Sequence, residues 1–275
     1  MRGKHKSKSI NELVIEAQKL AELGVKELIL IAQDSTFYGL DIYGERKLAD
    51  LCTALCQVNG IEWIRLHYAY PSQFPTKLLD VMSKEPKMCK YLDIPIQHSS
   101  EKMLKYMRRG ISAHRLESLL YQIREKVPNI AIRTTVMVGH PGENQKEFEH
   151  LLDFIKKFKF DRLGVFEYSP EEGTNSFTLN DDIPNETKKK RASLIMEEQQ
   201  TISLELNSKK INKQFKVLVD RIEGNTAYAR TEFDSPEVDN EVIIQNGSHL
   251  HAGDFKLVKV TDALEFDLIA NCNNP

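Results

Sequence analysis

The feature that most constrains the fold is an alternation of helix-like and strand-like segments across residues 11–168. Apolar residues first recur at helical spacing, Gly24 then ends the helix, and residues 27–31 form a short apolar run typical of a buried strand. The same order of segments repeats along the chain. Because neighbouring parallel strands need a crossover, which is usually a helix, the alternation predicts a parallel α/β sheet.

Both an open sheet and a barrel satisfy this alternation, and the polar residues that follow the predicted strands favour a barrel. In a barrel the loops at the carboxyl ends of all strands build the site, whereas an open sheet concentrates its site at one switch point. Every predicted strand is followed by a polar or glycine-rich stretch. These stretches are residues 33–36, 67–68, 95–98, 139–143 and 168–172.

The character of the sequence changes after Pro184, which begins a long polar helix predicted at residues 185–211. Short alternating or apolar runs follow it, separated by turn signals such as Asn246 and Gly247, and they predict a small all-β domain. We therefore predict two domains. A partial α/β barrel with its connector helix occupies residues 1–206, and the β domain occupies residues 207–275.

Composition limits the classes of protein to consider. No stretch approaches the roughly 20 apolar residues that cross a bilayer, so we expect no membrane partner. The formal net charge of -2 gives no overall electrostatic footprint for nucleic acid. The four cysteines are scattered, and we interpret them as reduced thiols of a cytoplasmic protein.

Short motifs occur in one order along the chain, at residues 2–9, 33–39, 95–100, 107–110, 138–143 and 168–174. Together they resemble the methylthiotransferase family of radical S-adenosylmethionine enzymes. The terminal β domain resembles the TRAM module, a small OB-like barrel that holds the macromolecular substrate. The resemblance implies an incomplete (β/α)6 barrel followed by this β barrel.

The resemblance also implies S-adenosylmethionine and 4Fe–4S clusters as cofactors. In the family a Cys-x3-Cys-x2-Cys loop holds one cluster immediately before the motif that here begins at Arg2. The full-length protein would carry two clusters; we expect none in this chain, which we interpret as a fragment without the loop and inactive alone. Cys52 and Cys56 have the x3 spacing but fall on a predicted helix, where such a pair is ordinarily packing, and we assign no metal ligand.

Polar residues at the mouth of a barrel are reasonable ligand contacts, although helix capping or a turn is the alternative explanation for each. Family resemblance selects Gln33, Asp34, Gln97, His98, Arg133, Gly139 and Glu143 as cofactor-binding candidates. It places the first two near the methionine end and the next two near the ribose or the substrate. The last three would lie beside the carboxylate or the adenine. None of them is assigned a catalytic role.

Two branches of the family differ in substrate: one modifies an adenosine of transfer RNA, and the other methylthiolates the β-carbon of an aspartate in a small-subunit ribosomal protein. From Asn207 onward the chain has eight basic and eleven acidic residues. Phosphate neutralisation supplies most affinity for RNA, whereas an acidic surface suits a basic protein partner. We therefore expect a basic ribosomal protein to bind the acidic TRAM-like domain, with transfer RNA the less favoured substrate.

Two other classes remain as alternatives. The chain could be a non-catalytic adaptor whose β domain binds RNA or the ribosome, and Tyr228 and Phe233 could then stack on bases, although aromatics in short strands are more often core residues. An ordinary hydrolase or aldolase would need an acid–base pair or a Schiff-base lysine at a strand end. The sequence offers no compelling one.

Overall fold

The computed structural model describes residues 5–272, so Arg2, Gly3 and Lys4 of the opening motif lie outside the described residues. The helices are α1 (Ile10–Glu22), α2 (Leu40–Tyr43), α3 (Leu48–Cys56), α4 (Lys77–Lys84), α5 (Glu101–Tyr106), α6 (Ala113–Lys126), α7 (Gln145–Phe158) and α8 (Asn185–Ser208). The strands are β1 (Glu27–Leu30), β2 (Trp63–Leu66), β3 (Met88–Asp93), β4 (Ala131–Val138), β5 (Arg162–Glu167), β6 (Gln214–Glu223), β7 (Thr226–Thr231), β8 (Val242–Gln245), β9 (Phe255–Ala263) and β10 (Leu268–Cys272).

The described chain forms two compact units. The first unit runs to Ile94 and includes Ser118–Ile130, and the second unit comprises Pro95–Glu117 and everything from Ala131 onward. None of the described helices is both long enough and apolar enough to cross a membrane. The division at residues 206 and 207 stays a prediction.

The first unit is built on three parallel strands in the order β1, β2, β3. Helix α1 begins where Ser9 and Glu12 form a capping box, which satisfies backbone N–H groups that the first helical turn leaves without partners. Strand β2 is buried on both faces and carries Arg65, whose Nε lies 2.8 Å from an oxygen of Glu27. A buried cation inside a sheet needs such a partner, so this ion pair links β2 to β1.

In the second unit, β4 and β5 pair in parallel, from Arg133 beside Arg162 to Val138 beside Glu167. Alternate side chains of β4 are buried, as one covered face of a sheet requires. Asn144 caps α7 by accepting two backbone N–H bonds, and α7 buries an apolar stripe of the kind that packs on a sheet. Helix α8 packs along β5.

The last five strands of the second unit close into a barrel in the order β10, β8, β7, β6, β9. Its core consists of buried aliphatic side chains such as Val219, Ile244 and Val258. The predicted fold class is confirmed, but strand β10 was not predicted, because its apolar run at residues 268–270 is only three residues long. Helix α8 ends at Ser208, three residues before the predicted end.

Two ion pairs join this barrel to β4 and β5 within the second unit. Asp234 accepts hydrogen bonds from Arg162, with Nε at 3.1 Å, and also from the hydroxyl of Thr231 at 2.6 Å. Asp239 lies 3.3 Å from Nε of Arg133. The carboxylates of both aspartates are almost fully buried, so they fix the position of the barrel rather than charge its surface.

Candidate functional site

The two candidates that follow β1 are placed differently: Gln33 faces solvent, and Asp34 makes hydrogen bonds within its own turn. Gln33 is exposed. One carboxylate oxygen of Asp34 accepts hydrogen bonds from the backbone N–H of Thr36 at 2.9 Å and from its hydroxyl at 2.7 Å. Asp34 therefore shapes the turn that follows β1, while the amide of Gln33 is available to a ligand.

Gln97 is held beside the carboxyl-terminal half of β4 in the second unit. Its N–H donates to the carbonyl of Thr135 at 2.8 Å, and its carbonyl accepts the N–H of Met137 at 2.8 Å. Its φ of 67° is in the left-handed region, which is uncommon for a residue other than glycine and is concentrated at functional sites. The two backbone bonds hold this conformation.

His98 is fully buried, and its ring has one nitrogen in use and one without a partner among the described residues. Nδ1 accepts the backbone N–H groups of Ser99 at 2.9 Å and Ser100 at 3.0 Å. An acceptor nitrogen is unprotonated, so the proton of the neutral ring lies on Nε2. Nε2 is a buried donor with no hydrogen-bond partner among the described residues.

Replacing His98 with asparagine should make the protein less sensitive to acid. Burial lowers the pKa of His98 to about 3, and His150, His140 and Arg191 act in the same direction. Below pH 6.5 the unfolded chain binds a proton that the folded chain does not, so stability falls by about 2 kcal/mol between pH 6.5 and 5. Urea unfolding of the wild type and of His98→Asn at pH 7 and pH 5 measures the difference.

The asparagine oxygen can accept the same two backbone N–H groups, so the variant should fold. His251→Asn is the control, because His251 is 84% exposed and should leave the acid-induced loss unchanged. An equal loss of stability in the wild type and in His98→Asn would contradict the assignment.

The turn after β4, residues 139–143, is held together by the buried carboxylate of Glu143, its last residue. One carboxylate oxygen accepts the N–H of Gly139 at 2.7 Å, and the other accepts Nη1 of Arg191 at 3.0 Å. Burial raises the pKa of Glu143 above its ordinary value, although Arg191 acts in the opposite direction. The carboxylate braces the turn, and contact of this turn with a cofactor stays a prediction.

Arg133 is not brought to this turn, contrary to the grouping expected from the sequence. It is the third residue of β4, paired with Arg162, whereas the turn begins after Val138 at the other end of the strand. Its guanidinium pairs with Asp239 of the barrel. The alternation of residues along a strand predicts which face each side chain lies on. It does not predict the ion-pair partner of a residue near the amino end, such as Arg133.

Two buried basic residues of α8 were not recognised from the sequence as part of the site. Lys188 donates to the carbonyl of Tyr168 at 3.3 Å and pairs with Asp181 at 2.6 Å, and Arg191 holds Glu143. The sequence predicted a long polar connector helix and gave neither residue a role in the site. Their i, i+3 spacing, in line with buried Ile195, was the available signal.

The three buried cysteines, all in the first unit, do not suit an iron–sulfur cluster. Cluster ligands are thiolates, but burial raises the pKa of the Cys52 thiol above its ordinary value and that of Cys56 to about 11. Cys89 is buried as well. Across residues 5–272 no group of three or more His, Cys, Asp or Glu side chains is arranged to hold a metal ion.

Comparison with known families decides the class of the chain. Residues 1–155 match the Radical SAM superfamily, which is more than half of the sequence. The chain belongs to the radical SAM superfamily. Residues 211–272 match the TRAM domain and contain the closed barrel. Membership of the superfamily implies S-adenosylmethionine and 4Fe–4S cluster chemistry.

Curated relatives match almost the whole chain. Ribosomal protein uS12 methylthiotransferase RimO of Christiangramia forsetii is 54% identical over 98% of this chain and 60% of the relative. The RimO proteins of Flavobacterium johnsoniae and Bacteroides thetaiotaomicron are 54% and 49% identical over 98% and 99% of this chain, and 62% and 63% of their own lengths. The chain therefore spans about 60% of the length of these relatives.

A solved structure supports the fold of this radical SAM chain. Coproporphyrinogen III oxidase HemN of Escherichia coli, a radical SAM enzyme, matches with a TM-score of 0.51 and 16% identity. The match covers 71% of this chain and 46% of HemN. At this identity the likeness concerns the fold alone.

Proposed function

We propose that the protein containing this chain is a radical S-adenosylmethionine methylthiotransferase that adds a methylthio group to the β-carbon of an aspartate in ribosomal protein uS12. The observation that carries the proposal is 54% identity, over 98% of the chain, to a protein named ribosomal protein uS12 methylthiotransferase RimO. We place its action in the cytoplasm, where ribosomal proteins are found.

Within this proposal, Gln97, His98 and Gly139 are the cofactor contacts of the second unit, and a cofactor contact at Gln33 and Asp34 of the first unit stays a prediction from the sequence. The unpartnered Nε2–H of His98 suits a polar group of S-adenosylmethionine. Bound S-adenosylmethionine supplies the radical chemistry, while these side chains bind and orient it.

We also propose that this chain alone has no activity. Activation of S-adenosylmethionine needs a cluster, and a cluster needs thiolates at suitable spacing. Cys52 and Cys56 are buried in α3, with pKa values that favour the protonated thiol. Cluster ligands supplied by a longer chain would provide the missing chemistry.

The TRAM barrel is the proposed docking surface for the basic ribosomal protein. Asp234 and Asp239 are turned inward to arginines, so they add nothing to the surface. Exposed carboxylates remain at Glu237, Asp262 and Glu265. Carboxylates at a surface raise the rate at which a basic partner associates and lower it for RNA.

The test compares the full-length protein, with reconstituted clusters, on purified uS12 and on transfer RNA. We expect mass spectrometry to detect one methylthio group on uS12 and none on transfer RNA. A triple variant, Glu237→Lys with Asp262→Lys and Glu265→Lys, should raise KM for uS12 about tenfold or more, because several favourable charges are reversed. Cleavage of S-adenosylmethionine without uS12 should not change.

A charge-matched control reverses three exposed carboxylates outside the barrel, with Glu149→Lys, Asp153→Lys and Glu186→Lys. It should leave KM for uS12 near the wild-type value. Modification of transfer RNA in place of uS12 would overturn the substrate assignment. No cleavage of S-adenosylmethionine by the full-length wild type would overturn the reaction class.

A further inference from the structure

The loop after β5, residues 169–183, is tied to α8 by Lys188. We call this segment the rim loop and residues 139–143 the rim turn. The Lys188 side chain is 2% exposed, and its ammonium donates to the carbonyl of Tyr168 and pairs with Asp181 inside the rim loop. The ammonium also lies 5.2 Å from the centre of the Tyr168 ring, within range of a cation–π contact. Both ends of the rim loop are thereby fixed by one side chain.

The same lysine packs against the rim turn through its methylene groups. A Cβ atom added to Gly139 would lie 2.3 Å from Cγ and 2.8 Å from Cδ of Lys188. At position 139 only glycine, which has no side chain, leaves room for the methylene groups of Lys188. Lys188 therefore contacts the rim turn with its stem and the rim loop with its charge.

Arg191 lies about one helical turn further along α8 and holds the rim turn by its charge. Its Nη1 donates to the carbonyl of Glu143 at 3.2 Å and to its carboxylate at 3.0 Å. Its guanidinium also lies 5.3 Å from the centre of the Phe148 ring. Lys188 and Arg191 point in nearly the same direction because they are three residues apart on a helix.

The rim turn and the rim loop are also joined directly. The hydroxyl of Ser176 lies 2.8 Å from Nε2 of His140, and its carbonyl accepts the hydroxyl of Tyr168 at 2.9 Å. These bonds link two segments that are otherwise separated by α7 and β5. From helix α8, Lys188 contacts both segments and Arg191 holds the rim turn, which also accepts a hydrogen bond from Lys102 of α5 at the carbonyl of Gly142.

We propose that Lys188 and Arg191 are positioning residues that hold the rim turn and the rim loop at the spacing required to bind S-adenosylmethionine. The proposal rests on the proposed function, because it assumes that this cofactor binds at the carboxyl ends of the strands. Residues behind a ligand contact fix its orientation, and removing them typically lowers affinity about tenfold or more. Neither residue touches the cofactor in this proposal.

The test measures the dissociation constant of S-adenosylmethionine for the full-length protein with reconstituted clusters. Lys188→Met keeps most of the stem and removes the charge, and Arg191→Met removes the bonds to Glu143. Each should raise the dissociation constant about tenfold. Arg191→Lys, which keeps a donor for Glu143, should stay closer to the wild type.

The controls are Lys189→Met and Lys190→Met, which remove exposed charges of the same sign from the same helix. They should leave the dissociation constant unchanged. A second readout needs no cofactor: limited proteolysis should cleave the rim loop several times faster in Lys188→Met than in Lys189→Met, because local release exposes its backbone.

The possible results separate the two proposals. If the wild type does not bind S-adenosylmethionine, the proposed function fails and this inference fails with it. If the wild type binds and Lys188→Met lowers only the melting temperature, with an unchanged dissociation constant, the role is structural and the inference alone is overturned. Should Lys188→Met fail to fold, Asp181→Ala removes one partner of Lys188, and an unchanged dissociation constant there would also overturn it.

Discussion

Asp234→Ala should destabilise the protein by about 3–5 kcal/mol, the usual cost of removing one partner from a buried ion pair. Arg162 would keep its charge in a site from which water is excluded, and the hydroxyl of Thr231 would lose its acceptor. Burial acts to raise the pKa of Asp234, but Arg162 and Lys210 outweigh it and hold that pKa below its ordinary value. Thermal unfolding of this chain should show a midpoint about 10 °C lower.

The matched control is Glu237→Ala, which removes an exposed carboxylate from the same loop. A surface substitution of this kind changes stability by about 0.5 kcal/mol or less. If Asp234→Ala and Glu237→Ala unfolded at the same temperature, the pair with Arg162 would not be what fixes the barrel to the strands.

Gly139→Ala should cost about 2–4 kcal/mol, the sum of two separate penalties. Gly139 has a φ of 74°, where a side chain is strained, and its new Cβ would collide with the stem of Lys188. Gly173→Ala isolates the first penalty, because Gly173 has a φ of 79° with nothing within 4 Å of an added Cβ. It should cost only about 1–2 kcal/mol.

A double-mutant cycle isolates the second penalty. In a Lys188→Ala background Cγ and Cδ of the stem are absent and only Cβ stays near the added atom, so Gly139→Ala should cost close to the value of about 1–2 kcal/mol expected at Gly173. Chemical denaturation of the four proteins gives each free energy. Equal costs of Gly139→Ala in both backgrounds would rule out the collision.

The fold could be predicted largely from local periodicity, since each element shows its buried face in its own sequence. Helix α7 is an example, because its apolar stripe and the cap at Asn144 are both local signals. The barrel was predicted from short runs and turns in the same way. Strand β10 lacked a long enough apolar run to be recognised.

The candidate site was less predictable, because its decisive contacts join residues far apart in sequence. Arg162 and Asp234 are 72 residues apart, and Arg191 and Glu143 are 48 apart. No local pattern shows that a basic residue will be buried beside a particular carboxylate. Gln33 and Gln97 were found by resemblance of motifs, whereas Lys188 lay in a run that ordinarily marks a solvated helix face.

The length of helix α8 also sets the distance between two anchoring side chains. It is one uninterrupted helix of 24 residues, about 36 Å long, with Lys188 near its start and Asn207 near its end donating to two carbonyls of the turn between β9 and β10. Adding one residue between them would rotate Lys188 by about 100° relative to Asn207, so one of the two anchors would face solvent. A change of one whole turn would restore the direction of both side chains but shift one of them by about 5.4 Å along the axis, so the contacts of both anchors depend on the present length of the helix.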